Sequence, residues 1–488
     1  MSSESTKMSR RRTKIVATLG PATDEPEILE NLIGAGVDVV RLNFSHGSAD
    51  DQEARVDRVR AIGQKVGRDV AIMGDLQGPK IRIEGFSAGP IELEEGQDFV
   101  LDTAMDPEKG DQSRVGVAYP DLVEDVGPGD VLILDDGKIV LDVETVEGTE
   151  IHCRVLNGGP LSDRKGVNKR GGGLSAPALT DKDREDIKIA ARLGYDFLSV
   201  SFARNAADIA EARSLLRSAG GHGHIVAKIE RAEAVANIDE IIDASDVIMV
   251  ARGDLAVEVG YASMTGLQKN LIRNARSRNC VSITATQMLE SMITQSSPTR
   301  AEVSDVANAV MDGTDAVMLS AETAVGKFPV QAVRTMGEVC VGAEKHESFR
   351  RAQNFRIDDA FEHVDEAIAM ASMYIANHLE VEGIIALTES GATTLWMSRL
   401  RSDIPIYAFT RHVETLRRVM LYRGVYPRSF DVVHTEPNVV HRRAFDLLLA
   451  EGVLSPGDFA LFTSGDLEGI AGRTNTMQII EVPASDSA

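Results

Sequence analysis

Apolar runs of strand length alternate with segments of helical period along most of the chain. Residues 25–35, 183–193 and 266–278 are examples of the helical segments, each with an apolar stripe. Eight strand–helix units in succession predict a closed (β/α)8 TIM barrel, whose chemistry lies at the carboxyl ends of the strands. The predicted strands are residues 15–19, 37–44, 70–76, 197–202, 224–230, 246–251, 281–286 and 316–320.

One gap in this alternation is too long for a loop. Between residues 76 and 180 the chain carries short alternating segments separated by turn signals. This pattern predicts an all-β domain inserted after the third strand, with hinges near 77–79 and 175–177, which would act as a lid over the catalytic face. Its predicted strands are residues 80–84, 97–102, 131–134, 138–143 and 150–156.

After residue 349 the strand–helix alternation begins again. Residues 383–387, 404–410 and 458–463 are predicted strands of a separate C-terminal α/β domain. The predicted organisation is a tail at 1–10, a barrel at 11–78 and 178–349, a lid at 79–177 and a C-terminal domain at 350–488.

Charged side chains end two neighbouring predicted strands. Lys228 and Glu230 share one face of the strand at 224–230, because side chains alternate along a strand. The next strand runs into Arg252, Gly253 and Asp254. Two carboxylates beside a lysine suit a hard cation and an anionic substrate, although an interior ion-pair network explains either segment alone.

Polar side chains also end three further strands. Arg41, Asn43 and Ser45 alternate onto one face, Asp75 ends the third strand, and Thr286 ends the seventh. Arginine offers a planar fork for phosphate, and a threonine hydroxyl can bind substrate or relay a proton. Capping and turn formation explain each of these residues singly, but their convergence on one rim favours an active site.

The composition limits the possible partners. Lys and Arg number 52 against 75 Asp and Glu, a net charge of −23, which argues against binding to nucleic acid or to an anionic membrane. A phosphate site would therefore need local cations and a metal. Three widely spaced cysteines and the lack of an apolar signal segment or membrane span predict a reduced, cytoplasmic protein.

The strand-end segments resemble those of pyruvate kinases. The resemblance implies transfer of a phosphoryl group from phosphoenolpyruvate to ADP, giving pyruvate and ATP, in a homotetramer. It covers the barrel, the lid and the C-terminal domain. The segments that carry it are KIVATLGP at 14–21, RLNFSHG at 41–47, AKIE at 227–230, MVARGD at 249–254, TQMLESM at 286–292, PTRAE at 298–302 and MLSAET at 318–323.

The resemblance also implies a role for each site residue. Glu230 and Asp254 would hold Mg²⁺, with Mn²⁺ as an alternative, and Lys228 would neutralise the phosphoryl group in transfer. The backbone N–H groups of Gly253 and Asp254 would receive the substrate carboxylate, and Thr286 would serve protonation of the enolate. Arg41 would bind the phosphoryl group. The residues implied for the nucleotide are Arg41, Asn43, His46, Arg82 and Lys165.

One segment departs from the pattern of K⁺-dependent pyruvate kinases. They carry Asp-Thr-Lys-Gly-Pro-Glu where this chain has DLQGPK at 75–80. Asn43, Ser45, Asp75 and Leu76 would form the monovalent-cation pocket, and the ammonium of Lys80 would take the place of K⁺. The sequence thus predicts activity without K⁺; the alternative is that Lys80 points into solvent.

A second site is predicted in the C-terminal domain. The loop TESGATT at 388–394 lies between a predicted strand and a helix N-terminus, an arrangement typical of an anion-binding site. A well-capped loop without a ligand would have the same sequence pattern. By resemblance this loop binds an activator, either a sugar phosphate or a nucleotide, and the late segment at 463–475 would close over it. Its predicted residues are Thr388, Ser390, Gly391, Thr393 and Thr394.

Two rival functions compete with this interpretation. A metal-dependent aldolase or lyase acting on pyruvate-like enolates shares the carboxylate pair but needs no lid carrying Arg82 and Lys165. An inactive metabolite sensor would be indicated by loss of a rim residue, and none is lost: the residues concerned are Lys228, Glu230, Asp254 and Thr286.

Overall fold

The barrel is closed by eight parallel strands that follow one another around it in chain order. The computed structural model describes residues 11–346, 361–400, 402–431, 437–465 and 474–483. Each observed strand begins and ends within two residues of its predicted run, so the predicted barrel is confirmed. The strands are Lys14–Thr18, Val39–Asn43, Ala71–Asp75, Phe197–Val200, His224–Ile229, Val247–Ala251, Val281–Ala285 and Ala316–Leu319.

The barrel strands are apolar on both faces because both faces are buried. Ile15 and Ala17 pack in the layer between strands and helices, whereas Val16 between them belongs to the barrel interior. The surrounding helices are Pro26–Gly34, Ala49–Lys65, Asp181–Arg192, Ala206–Ser218, Ala232–Ala236, Ile238–Ala244, Arg252–Val259, Tyr261–Ser277, Arg300–Asp312, Ala321–Ala324 and Pro329–Glu344, with the 3₁₀ turns Pro21–Thr23 and Glu290–Ile293.

The lid is built on a six-stranded sheet and a two-stranded sheet. The six strands, in spatial order, are Val167–Lys169, Val131–Leu134, Ile139–Glu147, Glu150–Asn157, Asp98–Asp102 and Arg114–Gly116. Ile91–Leu93 pairs with Gly159–Leu161. The lid also contains the helix Leu122–Asp125 and the 3₁₀ turn Asp135–Gly137. Four of these strands have only three residues, too few to show a period of two.

The predicted strand at 80–84 is wrong. The segment makes isolated bridges, from Arg82 to Gly166 and from Ile83 to Val117. Its backbone alternates between two partners, because Ile83 donates to Lys165 on one side and Glu84 donates to Gly116 on the other. The segment therefore forms no continuous ladder with either neighbour.

The C-terminal domain is an α/β domain with one five-stranded sheet. Its strands, in spatial order, are Val425–Ser429, Ile406–Thr410, Gly383–Leu387, Phe459–Gly465 and Thr474–Glu481, and the last pair is antiparallel. The first and last were not predicted. Its helices are Val364–His378, Ala392–Ser398, Val413–Arg418 and Pro437–Ala450, with a 3₁₀ turn at Val419–Leu421.

The C-terminal domain contacts the amino end of the barrel. Lys14 at the start of the first strand donates to the carbonyl of Val425, and Gly424 donates to Arg12. The opposite end of the barrel, where the strands finish, faces the lid. No helix in the described part of the chain is long and apolar enough to span a membrane.

Candidate active site

Four charged side chains meet at the carboxyl end of the barrel, on three of its strands. Arg41 belongs to the second strand, Asp75 ends the third, Lys228 belongs to the fifth, and Glu230 follows it. The strand register pairs Asn43 with Asp75, so the second and third strands finish at the same level. The structure thus brings together the charged residues that the sequence predicted to converge.

The ammonium of Lys228 lies between two carboxylates. Its Nζ is 2.9 Å from Glu230 Oε1 and 3.4 Å from Asp75 Oδ1, and it donates to Ser201 Oγ at 2.7 Å. Burial lowers the pKa of Lys228, but the charges of Asp75 and Glu230 outweigh burial and raise it. Lys228 is therefore a buried cation that stays charged.

Arg41 is oriented by Asp75 from the neighbouring strand. Its Nε donates to Asp75 Oδ2 at 2.9 Å, and its Nη1 donates to Thr18 Oγ1 at 3.1 Å. Burial raises the pKa of Asp75, yet the charges of Arg41 and Lys228 bring it below the usual range. Asp75 thus remains ionised, and its buried carboxylate positions both Arg41 and Lys228.

Glu230 and Asp254 form a pair of carboxylates suited to a divalent cation. Glu230 is 2 % exposed and accepts from the backbone N–H of Phe202 at 2.8 Å. Burial raises the pKa of Glu230; Lys228 opposes this shift and the charge of Asp254 adds to it. Asp254 lies in the first turn of the helix Arg252–Val259. A cation between the two carboxylates would relieve their mutual repulsion.

The donor set also fits the coordination habits of Mg²⁺. Among the described residues, no group of three or more His, Cys, Asp and Glu side chains is placed to hold a metal. Mg²⁺ is commonly held by one or two carboxylates and completes its shell with water and substrate phosphates. Glu230 and Asp254 therefore suffice for an ion shared with a phosphorylated substrate.

Thr286 sits on a strained turn beside Gly253. Its φ is +69° and that of Gln287 is +53°, an uncommon conformation for residues other than glycine. Thr286 Oγ1 accepts from the N–H of Gly253 at 2.8 Å and donates to the carbonyl of Ala285 at 2.6 Å. The N–H predicted to receive a substrate carboxylate is thus bonded to the threonine in this structure.

Two residues of the rim were not predicted. Ser201 links the lysine to the lid hinge, since it accepts from Lys228 and donates to the carbonyl of Leu76 at 2.7 Å. Arg252 holds the strained turn, donating to the carbonyl of Thr286 at 2.7 Å and pairing with Asp305. Ser201 alternates with Ser199 at the end of the fourth strand, a signal like the one that identified Arg41 and Asn43.

Comparison with known proteins assigns both the barrel and the C-terminal domain to one family. The family model for the barrel domain of pyruvate kinase matches residues 10–333, and that for its alpha/beta domain matches residues 366–480. The chain belongs to the pyruvate kinase family. It is 54% identical over 481 residues to pyruvate kinase II of Salmonella typhimurium, covering 97% of this chain and 100% of that protein.

Further members of the pyruvate kinase family agree. The pyruvate kinase of Haemophilus influenzae is 53% identical, with 94% of this chain and 97% of that protein covered. The crystal structure of a pyruvate kinase from Cryptosporidium parvum superposes with a TM-score of 0.90 at 35% identity, covering 97% and 96% of the two chains. The resemblance, the fold class and the assignment as a kinase of glycolysis are confirmed, which decides against a lyase and an inactive sensor.

In this pyruvate kinase, the basic residues implied for the nucleotide make their contacts within the lid. Arg82 donates to the carbonyl of Arg164 at 2.9 Å, and Lys165 lies 2.8 Å from Asp135. His46 is exposed on the loop after the second strand, where its N–H donates to the carbonyl of Asn43. These residues surround the rim without joining its buried charge cluster.

Lys80 lies at the hinge and is directed toward the rim. Its Nζ is 3.3 Å from Asp254 Oδ1, and its side chain is 29 % exposed. The other residues of the predicted monovalent-cation pocket are bonded to the protein: Asn43 Oδ1 accepts from the N–H of Ser45 at 2.9 Å, and the Leu76 carbonyl accepts from Ser201. A fixed ammonium thus occupies the approach to the carboxylate pair.

The predicted effector loop is tightly bonded to itself and to the adjacent helix. The N–H of Gly391 donates to Thr388 Oγ1 at 2.8 Å, and Thr394 Oγ1 donates to the carbonyl of Gly391 at 2.8 Å. Thr393 Oγ1 lies 2.6 Å from Thr474 Oγ1. Glu389 pairs with Arg411, whose charge opposes its own, and also contacts the ring of His412. Residues 466–473, part of the segment predicted to close over the loop, lie outside the described residues.

Proposed function

We propose that this enzyme transfers the phosphoryl group of phosphoenolpyruvate to ADP by means of the charged rim around Lys228. The observation that carries the proposal is the buried ammonium of Lys228, held charged by Asp75 and Glu230 beside the fork of Arg41. Phosphoryl transfer depends on positioning and on neutralising charge, and a desolvated cation does both.

Each residue has a distinct task in this proposal. Arg41 binds the phosphoryl oxygens from one side, and Lys228 neutralises them from the other during transfer. Glu230 and Asp254 hold Mg²⁺ or Mn²⁺, which would stabilise negative charge on the transferring group and the leaving enolate. When the substrate carboxylate binds, the N–H of Gly253 exchanges its acceptor Thr286 for that carboxylate, together with the N–H of Asp254.

The remaining steps fall to Thr286 and the lid. The hydroxyl of Thr286, released from Gly253, orients a water molecule that gives a proton to the carbon of the enolate, and solvent replaces the proton that this water loses. Arg82 and Lys165 contact the nucleotide phosphates when the lid lies over the rim, with Asn43 and His46 on the barrel side. The local cations thereby offset the acidic surface of the molecule.

Pyruvate formation from phosphoenolpyruvate and ADP tests this function. Turnover should require Mg²⁺ or Mn²⁺ and should be lost when a chelator removes the metal. The absence of pyruvate under saturating substrates and Mg²⁺ would reject the proposal. Adding each candidate activator in turn would show which class stimulates the enzyme.

We further propose that the enzyme needs no K⁺, because Lys80 supplies a fixed positive charge beside Asp254. A Lys80→Glu variant places a carboxylate near Asp254, so its activity should fall without K⁺ and recover when K⁺ is added. Rates in buffers free of K⁺ and NH₄⁺ provide the measurement, with Lys188→Glu, an exposed charge reversal, as the control. Near-complete dependence of the unmodified enzyme on K⁺ would reject this part.

An activator carrying phosphate is proposed to bind the loop at 388–394, in a cytoplasmic homotetramer. The support is the family resemblance together with Arg411, whose positive charge pairs with Glu389 within the loop. A Ser390→Asp variant adds an anion there and should lose activation while keeping its basal rate. Ser402→Asp, a change outside the loop, is the control. Unchanged activation of Ser390→Asp would exclude the site.

A further inference from the structure

The lid returns to the barrel through three consecutive glycines. Gly171, Gly172 and Gly173 have φ of +82°, +80° and +93°, and one residue separates them from the last lid strand, Val167–Lys169. Glycine adopts this left-handed region without steric cost, whereas other residues are strained there. The return connection is therefore a turn whose shape depends on glycine.

Residues of the barrel rim hold this connection at successive positions. The N–H of Gly171 donates to the backbone carbonyl of Glu258 at 3.1 Å, and the N–H of Gly173 donates to the carboxylate of Glu233. Arg231 Nη1 donates to the carbonyl of Leu174 at 3.1 Å. The connection from the lid to the barrel is therefore hydrogen-bonded to barrel residues along its length.

The side chains of Glu233 and Glu258 are closely fitted into this contact. A Cβ added to Gly172 would lie 2.5 Å from Glu233 Oε2, so the carboxylate occupies the space that the missing side chain leaves. The buried carboxylate of Glu258 accepts from the N–H of Ala232 at 2.8 Å, and it lines the same small pocket as Asn168 of the lid.

The two glutamates lie on the elements that present the metal-binding carboxylates. Glu258 is on the helix Arg252–Val259, whose first turn carries Asp254. Glu233 is on the helix Ala232–Ala236, which follows Glu230. The lid connection therefore rests on the same two segments of the barrel rim that carry the predicted metal ligands.

We propose that Glu233 and Glu258 are positioning residues that seat the lid on the barrel rim. They hold the glycine connection beside Asn168, and so set where Arg82 and Lys165 stand when a nucleoside diphosphate binds. This inference rests on the proposed function, because the nucleotide is the substrate that both the lid and the rim contact.

A matched pair of glycine variants tests the fit. Gly171→Ala and Gly172→Ala both place alanine at positive φ, but a Cβ at Gly171 meets nothing within 4 Å. Gly172→Ala should raise the KM for ADP by about tenfold, a loss near that of one charge-assisted hydrogen bond, with kcat and the KM for phosphoenolpyruvate nearly unchanged. Gly171→Ala should have a much smaller effect. Equal effects of the two variants would overturn the fitted contact.

Glutamate variants test the same contact without backbone strain. Glu233→Ala removes the acceptor for Gly173 and should raise the KM for ADP and speed hydrogen exchange at residues 170–176. Glu233→Gln keeps an acceptor oxygen and should restore both. Glu211→Ala, an exposed glutamate paired with Arg184, is the control.

The outcomes separate the two proposals. If Glu233→Ala matches Glu211→Ala in both measurements, Glu233 does not seat the lid. Hydrogen exchange needs no turnover, so it tests the seating even if the unmodified enzyme failed to form pyruvate, a result that would reject the function alone.

Discussion

Lys228 compensates the negative charge of two buried carboxylates at the rim. Asp75 and Glu230 are almost inaccessible to solvent, and their charges are tolerated because a cation lies between them. The same cation is placed to meet the phosphoryl group. Stability of the metal-free site and neutralisation of the transferring group therefore depend on one side chain.

Replacing Lys228 by Met should abolish most phosphoryl transfer and leave metal binding largely in place. Loss of one preorganised charge in a desolvated site reduces kcat by roughly 10²–10³-fold or more. The carboxylates of Glu230 and Asp254 remain to bind the metal. Steady-state kcat and titration with Mn²⁺ measure the two properties, with the exposed Lys188→Met as control. A kcat within tenfold of the unmodified enzyme would contradict the assigned role.

The identities of the rim residues could be predicted from sequence, but several of their contacts could not. Strand alternation identifies Lys228 and Glu230 as neighbours wherever the strand ends. The positive φ of Thr286 and its bond to Gly253 depend on how a turn is closed by Arg252 from another loop. Such contacts arise from tertiary packing and leave no periodic signal in the chain.

The helix Arg300–Asp312 shows how an element can secure the loop after a catalytic strand. It begins with a capping box between Thr299 and Glu302. The carboxylate of Glu302 also accepts from the N–H of Ser291 at 2.7 Å and from its hydroxyl at 2.6 Å. One side chain thus caps the helix and ties down the loop that follows the seventh strand.

Glu302→Ala should destabilise the protein by about 2 kcal/mol at pH 7, the loss of a helix cap and its charge-assisted bonds. Burial raises the pKa of Glu302, but the hydrogen bonds from Ser291 and Thr299 bring it below the usual value. Its stabilisation is therefore present above the unfolded pKa of about 4.3 and is lost as pH falls through the lower folded pKa.

Urea unfolding at pH 7 and at pH values below 4 checks this dependence. The difference in unfolding free energy between Glu302→Ala and the unmodified protein should shrink as the pH falls. Glu338→Ala, on an exposed helix face, should show neither effect. A difference that stayed constant with pH would mean that packing, rather than the carboxylate, is responsible.

Elements with long apolar runs were predictable, and those without them were not. All eight barrel strands show in the hydrophobic pattern because both of their faces are buried. The strand Val425–Ser429 contains Pro427, which favours an edge position and argues against a strand in sequence. The segment at 80–84 alternates apolar and polar residues as a strand does, yet its backbone hydrogen bonds go to two different partners. Its pairing depends on which segments of the lid lie beside it, and the hydrophobic pattern does not show this.

At the scale of the molecule, the barrel and the C-terminal domain share one apolar cluster. Interior barrel residues such as Met73 and Met249 belong to the same cluster as Met397 and Leu421 of the C-terminal domain. Arg399 crosses this boundary, donating to the carbonyl of Cys280 at 2.9 Å and pairing with Asp315. The side chains of Arg399 and Asp315 are 1% and 4% exposed. The two domains are therefore joined by packing and by a buried ion pair.

Arg399→Met should uncouple the two domains, because it leaves Asp315 buried without its cation at a cost of about 3–5 kcal/mol. The single tryptophan, Trp396, lies on the helix that leads to Arg399 and reports on the C-terminal domain, while activity reports on the barrel. In the unmodified enzyme, the fluorescence change and the loss of activity should occur at the same urea concentration. In Arg399→Met the fluorescence change should occur at a lower urea concentration than the loss of activity. Adding Asp315→Asn to this variant should restore part of the stability, because it removes the buried negative charge that has lost its partner. If the two transitions of Arg399→Met coincide at the position of the unmodified enzyme, the ion pair does not couple the domains, and the shared apolar cluster alone holds them together.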